Sequence, residues 1–218
     1  MNLIRITGTL ILLSLSSCLT ILQPLVTYDS ITTDDRLDGS WIGENSQVIL
    51  MQRFMNSKYG DLFKEKDFKY TKEDSIFYTK FYVIHFSENN LDYTWIANLC
   101  KINGDYYANL LPDGCLNEKG KDAYKIEGTE GVEYLATSSI AKLKWKDKNS
   151  LTLHFLNGDH IKEIILNDRA RLRHEYDPLF DNFLITASSG ELQEFLKKYG
   201  SSEKLFVGGR TIVLNRKN

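Results

Sequence analysis

The chain has 218 residues, 42% of them hydrophobic, enough apolar material for one domain with a sizeable core. Its 27 Lys and Arg stand against 29 Asp and Glu, a near-neutral balance that excludes wholesale nucleic-acid binding. Twelve Tyr and 11 Phe against only 3 Pro favour strands over disorder.

Met1 to Arg5 carry one side-chain charge beside the α-amino group, and the run through Leu10-Ile11-Leu12-Leu13 is apolar. A basic start, a short apolar centre and small residues near the end describe a secretory signal. The segment closes on Leu15-Ser16-Ser17-Cys18, which resembles a bacterial lipobox. That resemblance implies diacylglycerol transfer to Cys18, cleavage before it and acylation of the new amino group. Residues 1–17 are then a signal peptide, and palmitate-type acyl chains on Cys18 make a membrane anchor. More than one chain gives stable attachment, because a single one binds only marginally. Two other readings stay open. No charged residue occurs between Arg5 and Asp29, so the stretch could supply the ~20 residues of a membrane span, although its Ser and Thr content and Pro24 make a poor helix. It could also serve a plain secreted protein.

Residues 18–36 read as a lipidated cysteine and a polar-leaning tether, and residues 37–218 as the folded domain. Strand signals dominate from Leu37, with a turn expected at Asp38-Gly39. Ser75 to Ser87 is apolar on both faces, as in a strand buried on both sides. Leu91, Tyr93, Trp95, Ala97 and Leu99 alternate onto one face, and Asn103-Gly104 then turns a hairpin. After a polar stretch from Asn117 to Gly131, four strands are expected: "SIAKLKW", "SLTLHFL", "HIKEIIL" and "RARLRHEY", joined by links short enough to force antiparallel neighbours. Ser188-Ser189-Gly190-Glu191 reads as a capping box opening a helix that ends at Gly200, with Leu192, Phe195, Leu196 and Tyr199 on one face. A last strand, "RTIVLN", closes the sheet. The fold class is therefore mainly β: an antiparallel barrel or strongly curved sheet with one carboxy-terminal amphipathic helix.

Gly39-Ser40-Trp41, opening the first strand, resembles the Gly-x-Trp of lipocalin-like proteins. The wider pattern is similar to lipocalin-like lipoproteins of Bacteroidetes. It includes Leu37-Asp38-Gly39-Ser40-Trp41, Tyr82-Val83-Ile84-His85, Ile102-Asn103-Gly104-Asp105-Tyr106-Tyr107, Leu151-Thr152-Leu153 and Leu192 to Tyr199. The resemblance implies a β-barrel and a ligand-holding role. Residues Leu19 to Gln23 carry no acidic pair of the kind that directs surface export in that phylum, so the expected location is the outer membrane, facing the periplasm.

Catalytic spacing is scarce. The sequence has no Gly-x-Ser-x-Gly elbow, no Gly-x-x-x-x-Gly-Lys loop and no His-Glu-x-x-His helix. His85, His154, His160 and His174 are scattered, and Val207-Gly208-Gly209-Arg210 reads as a turn. No metal or cofactor is implied. With Cys18 lipidated, Cys100 and Cys115 are either a disulfide or two buried reduced thiols; Cys100 should lie opposite Tyr107, so a bridge needs Pro112-Asp113-Gly114 to bend the chain back. Trp41, Tyr93 and Trp95 line either an apolar ligand cavity or a plugged core. Arg169, Arg171 and Arg173, and likewise Lys142 and Lys144, alternate with apolar residues and so form basic strand faces. Those faces are either a solvated surface or a dock for acidic head groups or an envelope protein. Three functions follow: a lipid-anchored envelope binding or accessory protein holding a small apolar ligand, a scaffold or envelope-assembly component docking through the basic face, and a hydrolase of envelope glycans or lipids.

Overall fold

The computed structural model describes residues 19–43, 47–57, 60–61, 72–88, 91–112 and 137–217, with backbone alone at 72, 74, 75, 88 and 91–93. Two short strands, β1 (Thr20–Ile21) and β2 (Ile31–Thr32), precede the barrel. Its strands are β3 (Gly39–Ile42), β4 (Val48–Arg53), β5 (Tyr82–Glu88), β6 (Leu91–Ile102), β7 (Asp105–Pro112), β8 (Ser139–Asp147) and β9 (Ser150–Phe155). After an excursion through residues 156–210, the chain returns for β12 (Thr211–Arg216), which pairs with both β9 and β3. β6 pairs with β5 on one side and β7 on the other, so eight antiparallel strands form a closed barrel in simple up-and-down order.

Two cores share one wall. Alternate residues of every barrel strand point inward, among them Trp41, Ile49, Met51, Ile84, Phe86, Leu99, Leu110, Leu143, Leu151, Leu153 and Leu214. Many outward residues of β5 to β8, including Val83, Ile96, Cys100, Ile102, Tyr107 and Ile140, are buried too, under the segments outside the barrel. This is why Tyr82 to Ser87 reads as apolar on both faces. The structure shortens that strand, however. Lys72–Tyr78 forms helix α1, and only from Tyr82 is the chain extended.

The Asn103-Gly104 hairpin forms as read, both residues having positive φ (51° and 90°), and Cys100 faces Tyr107 across it. "HIKEIIL" is not a strand. It belongs to α2 (Gly158–Leu166), where Ile161, Ile164 and Ile165 fall on one buried face and the Asn157 side chain accepts from the His160 N–H. A β-branched run favours strand locally, but the i, i+3, i+4 spacing and the Asn cap prevail once that face has a core to enter. "RARLRHEY" is strand only from His174: β10 (His174–Asp177) pairs with β11 (Asn182–Ile185) outside the barrel, and β1 adds to β11 in parallel. The helix α3 (Ser189–Tyr199) begins with the expected capping box between Ser188 and Glu191 and buries Leu192, Phe195 and Leu196.

The expected tether is part of the fold. Ile21, Leu25, Val26 and Ile31 are buried in the outer core, and the Leu25 N–H donates to Asn109 Oδ1 at 2.9 Å. Four large apolar side chains so close to the barrel gain more by burial than by solvation. Residues 1–18, and with them the leader and Cys18, lie outside the described residues. Among those described, no helix is long and apolar enough to cross a membrane.

Candidate functional site

Among the described residues, large aromatic and aliphatic side chains pack inside the barrel. Trp41 is fully buried, with Nε1 donating to Leu37 O at 2.9 Å, and Trp95 packs edge-to-face against Phe86 and Phe155 at 4.9 and 6.2 Å. Tyr93 pairs with Phe86 through its backbone, and its side chain is outside the description. A space inside the barrel, walled by residues such as Leu37, Met51, Tyr82, Leu99 and Leu153, is about 20 Å³. That is room for about one water. Among the described residues, Trp41 and Trp95 face inward as core. A cleft of about 120 Å³ touches Trp95 from outside, between Leu19, Ile21, Phe155, Asn157 and Arg210.

The five basic residues expected to make strand faces separate. Lys142 does point outward from β8, but the end of α3 covers it. Its Nζ donates to Gly200 O at 3.0 Å and pairs with Asp105 Oδ2 at 2.5 Å, which makes it a buried clamp and not a surface charge. Lys144 is exposed on the same strand near His154. Burial holds the His154 imidazole below its ordinary range, and Lys144 and Lys142 push it the same way.

Arg169, Arg171 and Arg173 stay together and exposed, alternating with buried Ala170 and Leu172. They do so on an extended segment that crosses from α2 to β10. Between this segment and α3 runs an open groove of about 1000 Å³, with a floor of Ile165, Ala170, Leu172 and Phe195 and with Lys198 and Tyr199 on the α3 side. Arg169 pairs with Glu163, and Arg173 lies 3.3 Å from Glu191. Glu191 is already engaged by the Ser188 N–H and hydroxyl, which hold its carboxyl below the usual range. Glu194 pairs with Lys197. Among the described residues Arg171 makes no ion pair. Exposed pairs of this kind add little to folding, so the arginines can exchange them for an incoming anion at small cost. The sequence shows the arginine triplet but not its opposite wall, because α3 is brought there only by the tertiary fold.

One end of the barrel carries a second charged network. Asp34 is buried, and its carboxylate takes Arg36 Nε and Nη2 at 2.8 and 2.6 Å and Trp145 Nε1 at 3.1 Å. Burial alone would raise this carboxyl, but the Arg36 hydrogen bonds outweigh it and hold it below the ordinary value. The histidines are dispersed, and among the described residues no three His, Cys, Asp or Glu side chains are placed to hold a metal ion. The Cys100 sulfur is buried in the outer core, and burial pushes its thiol up to about 12. Cys115 lies outside the described residues, and the question of a bridge lies there with it. Comparison of the chain with family models, with curated proteins and with solved structures finds no match.

Proposed function

We propose that the chain is a lipocalin-like lipoprotein, anchored through Cys18 to the periplasmic face of the outer membrane, that acts as an envelope accessory protein. Its barrel is a scaffold, and its binding surface is the arginine-lined groove beside α3, which takes an acidic segment of an envelope partner. The observation that carries this reading is the contrast of volumes: about 20 Å³ inside the barrel against about 1000 Å³ in the groove. An apolar ligand needs a cavity of some hundreds of Å³. A groove with an apolar floor and a rim of guanidinium groups suits carboxylates on an extended chain, which guanidinium binds in a two-pronged geometry.

The test is titration calorimetry with a polyglutamate peptide at low and physiological salt. Salt-sensitive binding should fall about fivefold in Arg171→Gln, because each basic group beside an acidic surface contributes ~1 kcal/mol. Equal binding by both proteins rejects the groove. A panel of fatty acids and isoprenoids should leave the melting temperature unmoved, since a ligand that binds only the native state must raise it. The anchor is tested separately: Cys18→Ala should lose labelled palmitate and membrane partitioning together.

A further inference from the structure

Leu179 and Phe180, at 81% and 70% exposure, are the most exposed large apolar side chains among the described residues. They sit side by side at the turn joining β10 to β11, and the turn is braced from behind. Asp177 Oδ1 accepts the Leu179 N–H at 2.8 Å. Asp181, with φ 54°, is held by Lys162 and by the Tyr176 hydroxyl at 2.9 Å. The two side chains are therefore presented to solvent on a fixed support. Single exposed apolar residues are ordinary on a surface; two at a braced tip call for a partner.

The direction of β1 shows which partner. β1 runs parallel to β11, with Thr20 level with Leu184 and Ile21 with Ile185. Each step back along β1 therefore moves about 3.3 Å towards the start of β11, where the turn is. By that register Leu19 comes level with Phe183, next to Asn182 at the end of the turn. Leu19, the first described residue, therefore lies towards the side of the molecule on which Leu179 and Phe180 project. Leu19 also shares its cleft with Gly208 and Arg210, so the exposed Val207 (68%) borders the same side.

We propose that the Leu179–Phe180 tip enters the bilayer interface beside the lipid anchor, so that the protein is held at two points with one orientation. This rests on the reading that Cys18 carries the lipid. Acyl chains alone tether a protein without fixing its tilt, and a second apolar contact at a distance from them fixes it. Asp177 and Asp181 flank the tip, so only the two side chains pass the head groups. Tyr176 and Phe183, whose rings are 6.4 Å apart one step behind the tip, take the interfacial level that aromatic rings favour.

The experiment uses the lipidated full chain in vesicles of phosphatidylethanolamine and phosphatidylglycerol with brominated acyl chains. Phe180→Trp should lose emission there relative to unbrominated vesicles, after subtraction of the native tryptophans. Ile42→Trp, level with Asn215 at the end of β12 away from Arg210, should not. If Phe180→Trp floats with the vesicles but keeps its emission, the tip faces away and the inference fails, while the anchor survives. If no variant floats, the anchor fails and the inference falls with it. If the tip is shielded from lipid in a dimer that Leu179→Asp separates, the occupant is a second copy and the inference fails again.

Discussion

Arg216 lies across the indole of Trp41, its guanidinium carbon 4.4 Å from the ring centroid, where the last strand meets the first. Its Nη1 donates to Asp38 O at 3.0 Å and its Nη2 to Arg36 O, so one side chain ties the barrel seam to the turn that precedes β3. Gly39 makes room for it: a Cβ there would come 2.6 Å from Nη1, at a φ of 135° that disfavours any other residue. Arg216→Ala should cost about 2–4 kcal/mol, from a cation–π contact and two hydrogen bonds to a charged donor. Arg216→Lys should recover only part, because an ammonium neither stacks flat nor forks. Urea unfolding with unchanged m tests this, and an unshifted midpoint would dismiss the seam as a stabilising contact.

Leu25 is completely buried although it lies only a few residues from the expected anchor. Leu25→Ala should cost ~2–4 kcal/mol as a large-to-small core change. Asn109→Ala should cost about 1–3 kcal/mol by leaving the Leu25 N–H unpaired. Thermal melts of either variant that match the wild type would restore the tether.

Lys142 and the Tyr107 hydroxyl both donate to Gly200 O, at 3.0 and 3.3 Å, where α3 ends. Gly200 has helical φ and ψ, so its smallness serves close approach: a Cβ would stand 2.4 Å from Tyr107 Oη. Gly200→Ala should loosen the end of α3 by about 1–3 kcal/mol through overpacking. Amide exchange should accelerate in α3 before the barrel strands; uniform exchange across both would count against a local clamp.

His154 gives a pH dependence of definite sign. Its folded-state pKa lies below the ordinary 6.5, so between those values the unfolded chain binds more protons. Its contribution is full above about pH 6.5 and drains away as pH falls through the folded value. The melting temperature should drop between pH 7.5 and 5.5, and His154→Gln should reduce that drop. A steeper drop in the variant would reverse the assignment.

The strands of the barrel were legible because inward and outward residues alternate, and "RTIVLN" could be seen to close the sheet for the same reason. One residue beyond that stretch, Arg216 shares a face with Ile212 and Leu214, so a cation ends an inward series. Other features are set by neighbours distant in sequence. Lys142 looks like Lys144 in the pattern, and only the end of α3 separates a buried clamp from a solvated charge. Ile161, Ile164 and Ile165 suit a strand or a helix until a second core selects the helix. The groove joins residues 165–174 to α3, and local pattern could locate its arginines but not its depth.

The placement of β12 has a consequence for how the molecule is made. Arg216 and Asp38 are 178 residues apart, and β3 and β9 both wait for the last strand before their edges are paired. Seven strands can associate with their sequence neighbours early, but the ring shuts only when β12 arrives. Such distant pairing slows folding, and open edges are templates for association between chains. A chain cut before β12 would keep nearly all of its apolar core and still be the aggregating form, because it would lack the one strand that turns a sheet into a barrel.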